Sequence, residues 1–303
     1  MGRQLLWRIG ETERSTPKCA SKPATVYLSG GLGNQLFQLS IAAGMAAMRD
    51  VQISTARLGS SRRDLEIDSA AQKMGIPITK QKCECRRDPV VESLPATVNA
   101  ASAKCCLLVY PQMCTWGEHW SSSGRFAEIL DLVWNRERRS RFTRSGTGIH
   151  ARLGDYLWPR NLVEYGVLAP EYYERLLRDL DAPRPWVVYT DDAKAFSRLY
   201  GNLLRQGVVI AEAISARETL VELSNSEFLV IGNSTLSGWA GWLGQARRET
   251  IRVIRPQPFY RSGDIEVWSG FERAPARYLK TSRLLIGRPW VVSRRTAWSK
   301  YWI

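Results

Sequence analysis

The chain has 303 residues, of which 44% are hydrophobic and 24% charged, with a formal net charge of +14 and an isoelectric point near 9.8. This composition fits a globular protein of two domains of ordinary size and excludes a fibrous, low-complexity or wholly disordered chain. The positive charge indicates anionic partners such as nucleotide sugars or acidic membrane surfaces, and because no RNA- or DNA-binding module accompanies it, we predict no nucleic acid partner.

Residues 1–23 show no feature of a folded domain, and we predict a loose extension there. Their apolar run is too short for a signal peptide, and no run in the chain approaches the roughly 20 apolar residues of a membrane span. The six cysteines lack the paired spacings of a structural zinc site, so we expect reduced thiols and a cytoplasmic setting. These cysteines are Cys19, Cys83, Cys85, Cys105, Cys106 and Cys114.

A glycine-rich turn follows the first predicted strand, within residues 25–38 (TVYLSGGLGNQLFQ). Gly30, Gly31 and Gly33 have no Cβ, so their backbone can adopt positive φ and its N–H groups can approach an anion closely. A helix predicted to begin near Asn34 adds unpaired N–H groups and the positive end of its dipole. The turn predicts a phosphate site, with tight packing as the alternative. The candidate ligands are Gly31, Gly33, Asn34 and Gln35.

This turn departs from two common nucleotide-binding signatures. A dinucleotide fingerprint would place a third glycine where Leu36 stands, and an acidic residue at the end of the next strand. The next apolar run, VQISTAR, ends instead in Ser54, Thr55 and Arg57. A Walker A loop needs Lys and then Ser or Thr after the glycines, and this chain has neither there. We therefore do not predict NAD binding or a Walker A loop.

A second polar segment, residues 148–156 (GIHARLGDY), is predicted as a strand end that enters a turn. The two-residue period of a strand places His150 and Arg152 on one side. An arginine beside an imidazole suits a diphosphate, because guanidinium binds its oxygens in bidentate fashion and histidine can donate a further hydrogen bond. The alternative is a core histidine with a surface pair between Arg152 and Asp155.

Two carboxylates, Asp191 and Asp192, end the buried strand predicted at PWVVYTDD. Ligands of open α/β sheets bind at that end of the strands. An aspartate there could accept hydrogen bonds from a guanine edge, could bind a divalent metal with its neighbour, or could cap the following helix, AKAFSRLYGNLL. A second pair, Asp179 and Asp181, lies at the polar end of a predicted helix, and we predict no metal site there.

A second strand-to-helix turn lies in residues 226–244 (SEFLVIGNSTLSGWAGWLG). FLVIG is predicted as a strand and SGWAGWLGQA as a helix, so the hydroxyls between them lie beside free N–H groups of a helix start. Two such turns on separate halves predict two facing α/β units. The candidate ligands here are Asn233, Ser234, Thr235 and Ser237.

The ordered set of these motifs, followed by VIRPQPFY, resembles the GDP-fucose-dependent α-1,2-fucosyltransferases of glycosyltransferase family 11. The resemblance covers about residues 24–260, with clear matches only at the motifs. That family usually has two adjacent arginines in the middle motif, whereas Leu153 follows Arg152 here. It usually has an aromatic residue after the hydroxyl cluster and paired tryptophans, where this chain has Leu236, Gly238 and Trp239.

The resemblance implies an α/β fold of GT-B type, with two Rossmann-like domains facing a cleft. We expect the acceptor-side domain at residues 24–142 and the GDP-fucose-binding domain at 143–282, joined at the basic stretch WNRERRSRFTRSG. It implies inverting transfer of L-fucose from GDP-β-L-fucose to a hydroxyl of a glycan, namely the 2-OH of galactose, in bacterial-type surface polysaccharide synthesis. With arginine as the cation, no metal or other cofactor is expected.

Inverting transfer requires a general base and stabilisation of the leaving diphosphate. Arg152 is the candidate for the diphosphate, and Asp155 is the candidate base, with Glu164 as the alternative. His150 is expected to hold a phosphate or orient the loop. Asp191 or Asp192 would bind guanine, and residues 233–237 would hold the diphosphate or ribose.

The carboxyl-terminal region, 273–303, has eight basic residues and no acidic one, and Trp290, Trp298, Tyr301 and Trp302 are interleaved with them. Basic and aromatic residues suit a bilayer interface. We predict that the tail, 283–303, docks a cytoplasmic enzyme on the inner membrane face beside a lipid-linked acceptor, and the alternative is packing across the other domain.

Two other function classes stay open at this stage. Another nucleotide-sugar-dependent GT-B transferase would keep the glycine turns but bind a different base. A glycan- or nucleotide-binding protein without catalysis would not need the ordered phosphate motifs, and it would not hydrolyse the donor in the absence of acceptor.

Overall fold

The computed structural model describes residues 23–46, 50–56, 64–80, 88–89, 106–108, 124–134, 146–212, 214–248, 250–263, 268 and 270–280. Several predictions from the sequence lie outside these residues: most of the 1–23 extension, the basic connection, the 283–303 tail and the side chains of all six cysteines. Those predictions stay predictions.

Among the described residues, the first sheet contains five strands, β1–β5, at Ala24–Tyr27, Val51–Ser54, Ile78–Thr79, Asp88–Pro89 and Cys106–Leu108. The helices described in the same part of the chain are α1 (Leu32–Ala46), α2 (Asp68–Lys73) and α3 (Gly124–Trp134).

The second sheet, as far as the structure describes it, contains six strands, β6–β11, at Thr147–Ala151, Trp186–Thr190, Val208–Ile210, Phe228–Val230, Arg252–Gln257 and Glu272–Pro275. A 3₁₀ turn occupies Gly154–Leu157. Its helices are α4 (Pro159–Glu164), α5 (Pro170–Asp179), α6 (Ala193–Leu199), α7 (Gly201–Arg205), α8 (Ala216–Ser224) and α9 (Thr235–Arg247). The helix predicted over AKAFSRLYGNLL is divided between α6 and α7 at Tyr200, whose buried ring stacks on Phe196 at 4.7 Å.

Every pairing between named strands is parallel, in the orders β3-β2-β1-β5-β4 and β11-β10-β9-β6-β7-β8. This confirms the predicted α/β class, whereas the GT-B arrangement stays a prediction.

In the second sheet the chain leaves β6 towards β7 and β8, and then returns to the other side of β6 through β9. The strand order reverses beside β1 in the first sheet in the same way. Ligands of open α/β sheets bind at such reversal points, outside the carboxyl ends of the strands.

The alternation of side chains along the strands gives the second sheet two buried faces. Ile149 and Ala151 of β6 pack in a cluster with Tyr173 of α5, while Tyr189 and Ile231 belong to a different cluster. The cluster that contains Tyr189 and Ile231 also contains residues of α8, α9 and α1. Helices α5 and α9 therefore cover opposite faces of the second sheet, and α9 is on the face that meets the first unit.

The two sheets are joined through one continuous apolar cluster. Phe37 of α1 meets Trp239 of α9 edge to face, with ring centroids 4.9 Å apart. A second contact comes from α8, where the Arg217 guanidinium donates to the Glu66 carbonyl oxygen at 2.7 Å. The positions of α1 and α9 at the reversal points are therefore fixed relative to each other. Within the described ranges, no helix combines the length and apolar character that a membrane crossing needs.

Candidate active site

The loop after β6 is held by a carboxylate from the neighbouring strand. Asp191, directly after β7, accepts hydrogen bonds at Oδ1 from the backbone N–H groups of Leu153 at 2.8 Å and Gly154 at 3.2 Å. A Cβ on Gly154 would overlap the Asp191 carboxylate, so only glycine permits this approach. The loop that carries Arg152 is therefore fastened to the end of β7.

The Arg152 guanidinium lies between two carboxylates. Its Nη2 is 2.6 Å from Asp155 Oδ1 and its Nη1 is 3.0 Å from Asp191 Oδ2, and the side chain is 23% exposed. Burial alone would lower the pKa of Arg152, but the attraction of Asp191 and Asp155 outweighs it and raises that pKa. A guanidinium has five N–H donors, so these two contacts leave donors for a third anionic group.

Leu153 occupies the position where the resembled family has its second arginine. Its side chain is fully buried in the cluster that contains Tyr173 of α5. The side chain at position 153 therefore packs in the apolar core, and Arg152 provides the positive charge of this loop. Because Arg152 is flanked by Asp155 and Asp191, the three side chains together carry a formal charge of −1, so an anion here needs further positive charge from elsewhere.

That positive charge is available where the amino termini of α1 and α9 meet. The Thr235 hydroxyl donates to Asn34 Oδ1 at 2.9 Å, and a Cβ on Gly33 would lie 2.5 Å from the Leu236 backbone nitrogen. Neither helix has an acidic residue in its first turn. Two positive dipole ends in contact oppose each other, and an anion bound beside them is stabilised by both.

Asn233 connects this helix junction to the Arg152 loop. Its main-chain oxygen accepts from the Tyr156 hydroxyl at 2.9 Å, and its side-chain Nδ2 donates to the carbonyl oxygens of Tyr165 at 2.8 Å and Gly166 at 3.0 Å. The Tyr156 and Tyr165 rings stack at 5.0 Å. The Asn233 amide thus holds the turn together, and its predicted contact with a donor stays a prediction.

This tyrosine pair borders the site, and neither ring was predicted from the sequence as part of it. Burial and then the nearby Glu164 carboxylate raise the pKa of Tyr165 to about 12, and Asp155 contributes to the same shift. The two candidate bases, Asp155 and Glu164, therefore both lie near the Tyr165 ring. The sequence gives only a weak indication of this pair: Tyr156 follows Gly154 and Asp155, and Tyr165 precedes Gly166, so both tyrosines are next to turns.

Other predicted ligands are engaged in structural contacts. Gln35 is fully buried, and its Nε2 donates to the carbonyl oxygens of Gly30 at 3.1 Å and Asp64 at 2.8 Å. The Ser237 hydroxyl donates within its own turn, to the Ser234 carbonyl oxygen at 3.1 Å. Gly31 is open towards the described residues: apart from its chain neighbours, none of their atoms lies within 4 Å of a Cβ built there. Of the glycine turn, Gly31, Gly33 and Asn34 lie at the helix junction, and the Gln35 side chain holds the 64–66 loop.

Asp191 and Asp192 have separate functions in the structure. Asp192 is the N-cap of α6, and its Oδ1 accepts from the Ala195 backbone N–H at 2.8 Å. The capping alternative is therefore confirmed for Asp192. No group of three or more metal-ligating side chains is found in the part of the chain that the structure describes.

His150 lies beneath the site, at the end of β6. It is 3% exposed, its carbonyl oxygen accepts from the Tyr173 hydroxyl at 3.1 Å, and its Nδ1 has no hydrogen-bond partner among the described residues. Burial and then the neighbouring Arg152 charge lower the pKa of His150 to about 3. The imidazole is therefore neutral at physiological pH, which favours the core-histidine alternative.

We expect this histidine to make the fold sensitive to acid. Between pH 6.5 and about pH 3 the unfolded chain protonates the histidine while the folded chain does not, so the unfolded state binds more protons. The free energy of unfolding should then fall with falling pH by up to about 1.4 kcal/mol per pH unit from this group. Urea unfolding at a series of pH values should show a smaller slope for His150→Asn, and an unchanged slope would contradict the burial of a neutral imidazole.

Comparison with known proteins gives a partial match to a glycosyltransferase. No family model matches the chain. Over 119 residues the chain is 31% identical to the O-antigen biosynthesis glycosyltransferase WbnK of Escherichia coli. The matched stretch covers 38% of this chain and 39% of WbnK. The chain thus spans about two fifths of the length of this curated relative.

Solved structures to which the chain is similar include POFUT1 in complex with GDP and the α-1,6-fucosyltransferase NodZ soaked with GDP-fucose. The first has a TM-score of 0.39 and 9% identity, over 77% of this chain and 97% of that chain. The second has a TM-score of 0.38 and 14% identity, over 73% of this chain and 91% of that chain.

Proposed function

We propose that the protein is an inverting fucosyltransferase that moves L-fucose from GDP-β-L-fucose to the 2-OH of a galactose unit in an acceptor glycan. The observation that carries this proposal is the junction of the α1 and α9 amino termini, which have no acidic residue in their first turns. The junction lies beside the strand-order reversals, where nucleotide ligands bind in open α/β sheets. The partial similarity to an O-antigen glycosyltransferase and the motif resemblance supply the reaction class and the donor.

In the proposed reaction, the acceptor hydroxyl oxygen attacks the anomeric carbon as the bond from that carbon to the diphosphate oxygen breaks. The bonding electrons leave with GDP, and the hydroxyl proton passes to a carboxylate. The departing diphosphate gains negative charge, so donors placed before the reaction stabilise the transition state more than the substrate. We assign that stabilisation to Arg152 and to the backbone N–H groups at the starts of α1 and α9.

Asp155 remains the proposed base, with Glu164 as the alternative. Asp155 is in the turn that carries Arg152, and one of its oxygens already accepts from that guanidinium. This contact holds the carboxylate beside the diphosphate subsite, whereas Glu164 is at the end of α4, nearer to the Tyr165 ring. Loss of turnover in Asp155→Asn, with donor binding retained, would distinguish the base from a residue that binds the donor.

Asp191 and Asp192 should differ sharply in their effect on the reaction. Asp192→Ala removes a helix cap, so the free energy of unfolding should fall by about 1 kcal/mol while turnover is retained. Asp191→Ala removes the acceptor of two backbone N–H groups and one partner of Arg152, so kcat should fall about tenfold or more. Equal effects of the two variants on kcat would contradict the proposed positioning of Arg152 by Asp191. Guanine recognition by either carboxylate stays a proposal, and it would add to the contacts that each already makes.

The reaction should not require a metal ion, because Arg152 and the helix termini provide the positive charge. We expect turnover to be unchanged by a chelator in excess over trace divalent cations. Loss of turnover with EDTA, and its recovery with Mg²⁺ or Mn²⁺, would instead assign a metal to the Asp191–Asp192 pair.

The acceptor and the cellular location are also part of the proposal. We propose a lipid-linked, galactose-containing glycan and peripheral contact of the basic tail with an anionic membrane at the cytoplasmic face. Flotation with anionic vesicles should retain the intact protein and lose a variant without residues 283–303. Equal flotation of the two proteins would contradict the proposed contact between the tail and the membrane, and it would leave the transferase assignment unaffected.

The test of the proposed function is incubation with GDP-fucose and a panel of galactosides, followed by mass spectrometry and NMR of the product. We expect one added deoxyhexose in an α-1,2 linkage. A thermal-shift series with GDP, UDP and CDP should show stabilisation by GDP above the other two. Transfer from a different nucleotide sugar would favour another GT-B transferase, and stabilisation by GDP without transfer or donor hydrolysis would favour a non-catalytic binder.

A further inference from the structure

A polar cleft of about 260 Å³ lies between α5 and the last strand, β11. It is lined by two glutamates, three arginines, a tyrosine and a proline. The candidate active site follows β6, whereas this cleft is at the edge strand β11, three strands away in the order β11-β10-β9-β6. None of its lining residues takes part in the contacts described for that site.

The cleft has a fixed wall and buried polar atoms. The Arg175 Nη2 donates to the Pro275 carbonyl oxygen at 2.9 Å, which ties α5 to the end of β11. The Tyr172 hydroxyl and the Glu174 Oε1 atom are buried without a hydrogen-bond partner among the described residues, and the Tyr172 side chain is only 1% exposed. A buried hydroxyl or carboxylate oxygen without a hydrogen-bond partner is unfavourable, so a ligand that bonded to either atom would remove this cost.

The side chains that line the cleft are complementary to a ligand that both donates and accepts hydrogen bonds. The arginines Arg175, Arg178 and Arg277 can only donate, whereas the carboxylates Glu171 and Glu174 can only accept. An inorganic anion would satisfy the arginines but would meet repulsion from the two carboxylates. A sugar hydroxyl serves both groups at once, because it has one donor and two acceptor positions.

We propose that the α5–β11 cleft binds one neutral sugar residue of a glycan. Its volume lies just below the roughly 300–1,000 Å³ of pockets that hold drug-sized ligands, so it suits a single ring rather than a nucleotide. Glu174 and Arg277 would bind neighbouring ring hydroxyls. A small movement of the lining would expose the buried Tyr172 hydroxyl to the same ring and give it the partner that the described residues do not supply. This second glycan site acts independently of the transfer reaction.

The experiment is saturation-transfer NMR and calorimetric titration of the full chain with galactose, glucose, N-acetylglucosamine and fucose, without and with saturating GDP. We expect weak, saturable binding of at least one sugar that GDP does not displace. Glu174→Gln and Arg277→Ala should each weaken that binding about tenfold, the size expected for loss of a hydrogen bond to a charged group. The matched control for charge is Glu227→Gln, an exposed glutamate outside the cleft, which should retain the affinity.

Tyr172→Phe separates a binding function from a merely structural one. The phenylalanine keeps the buried ring and removes a hydroxyl that has no partner in the described part of the chain, so the melting temperature should stay the same or rise. Sugar affinity should nevertheless fall. The proposal is overturned if no sugar binds saturably, if inorganic phosphate binds in place of the sugars, if GDP displaces the sugar, or if the three cleft variants bind sugar as the unaltered protein does.

Discussion

Arg152→Ala is expected to lower kcat for fucosyl transfer by about a hundredfold or more at saturating GDP-fucose, which corresponds to about 3 kcal/mol of transition-state stabilisation. The guanidinium is held by Asp155 and Asp191 at 2.6 and 3.0 Å, so it is in position before the donor binds. Negative charge grows on the diphosphate only as the bond to fucose breaks. Removal of the cation therefore affects kcat more than the affinity for the donor.

Two further variants make this prediction specific. Arg152→Lys keeps the charge but loses the planar fork that reaches both carboxylates, so it should recover only part of the activity. Arg198→Ala removes an exposed arginine at the end of α6 and should leave kcat unchanged. Thermal melts of the three proteins show whether the fold is retained. Near-normal turnover of a folded Arg152→Ala protein would contradict the assignment of this residue.

Gly33→Ala is expected to destabilise the protein, although alanine is the better helix former. Alanine in place of glycine within a helix contributes about 1 kcal/mol of stability from propensity. Here the added Cβ would lie 2.5 Å from both the Leu236 backbone nitrogen and the Thr235 hydroxyl oxygen, so α1 and α9 would have to separate. Overpacking of a close contact costs about 1–3 kcal/mol, and backbone atoms cannot move aside as a flexible side chain can.

We therefore expect a net loss of up to about 2 kcal/mol in the free energy of unfolding for Gly33→Ala, together with weaker binding of GDP. Gly263→Ala is the matched control, because no atom of the described residues, its chain neighbours apart, lies within 4 Å of a Cβ built there and its φ is not in the left-handed region. Its unfolding free energy should change by less than about 0.5 kcal/mol. Urea unfolding and calorimetry with GDP measure both quantities, and a Gly33→Ala protein as stable as the control would show that the helix junction is not tight.

The sequence predicted the main elements of the fold because apolar strands and glycine turns leave local patterns. The turns after β1 and β9 were located from their glycines and hydroxyls, and the structure places both beside a reversal of strand order. The reversal itself could not be predicted, because it depends on which distant strands pair. The contact between Asn34 and Thr235 joins residues 201 positions apart, and the sequence gives no local sign of it.

The sequence indicated which residues belong to the candidate site better than it indicated which atoms those residues contact. Arg152 was expected to face a phosphate, but its two carboxylate partners come from its own turn and from the end of β7. The two-residue period of β6 held, because Leu153 joins Ile149 and Ala151 in one apolar cluster. Arg152 is close enough to His150 for its charge to lower the pKa of the imidazole. Burial of a histidine is set by the helices that cover the sheet, and these are not visible in the period of a single strand.

The most direct measurement is a crystal structure of the protein with GDP. We expect a diphosphate oxygen within about 3.2 Å of the Arg152 guanidinium and a second within the same distance of a backbone N–H group at the start of α9. A nucleotide bound with its diphosphate away from both groups would contradict the proposed site, whatever reaction the protein catalyses.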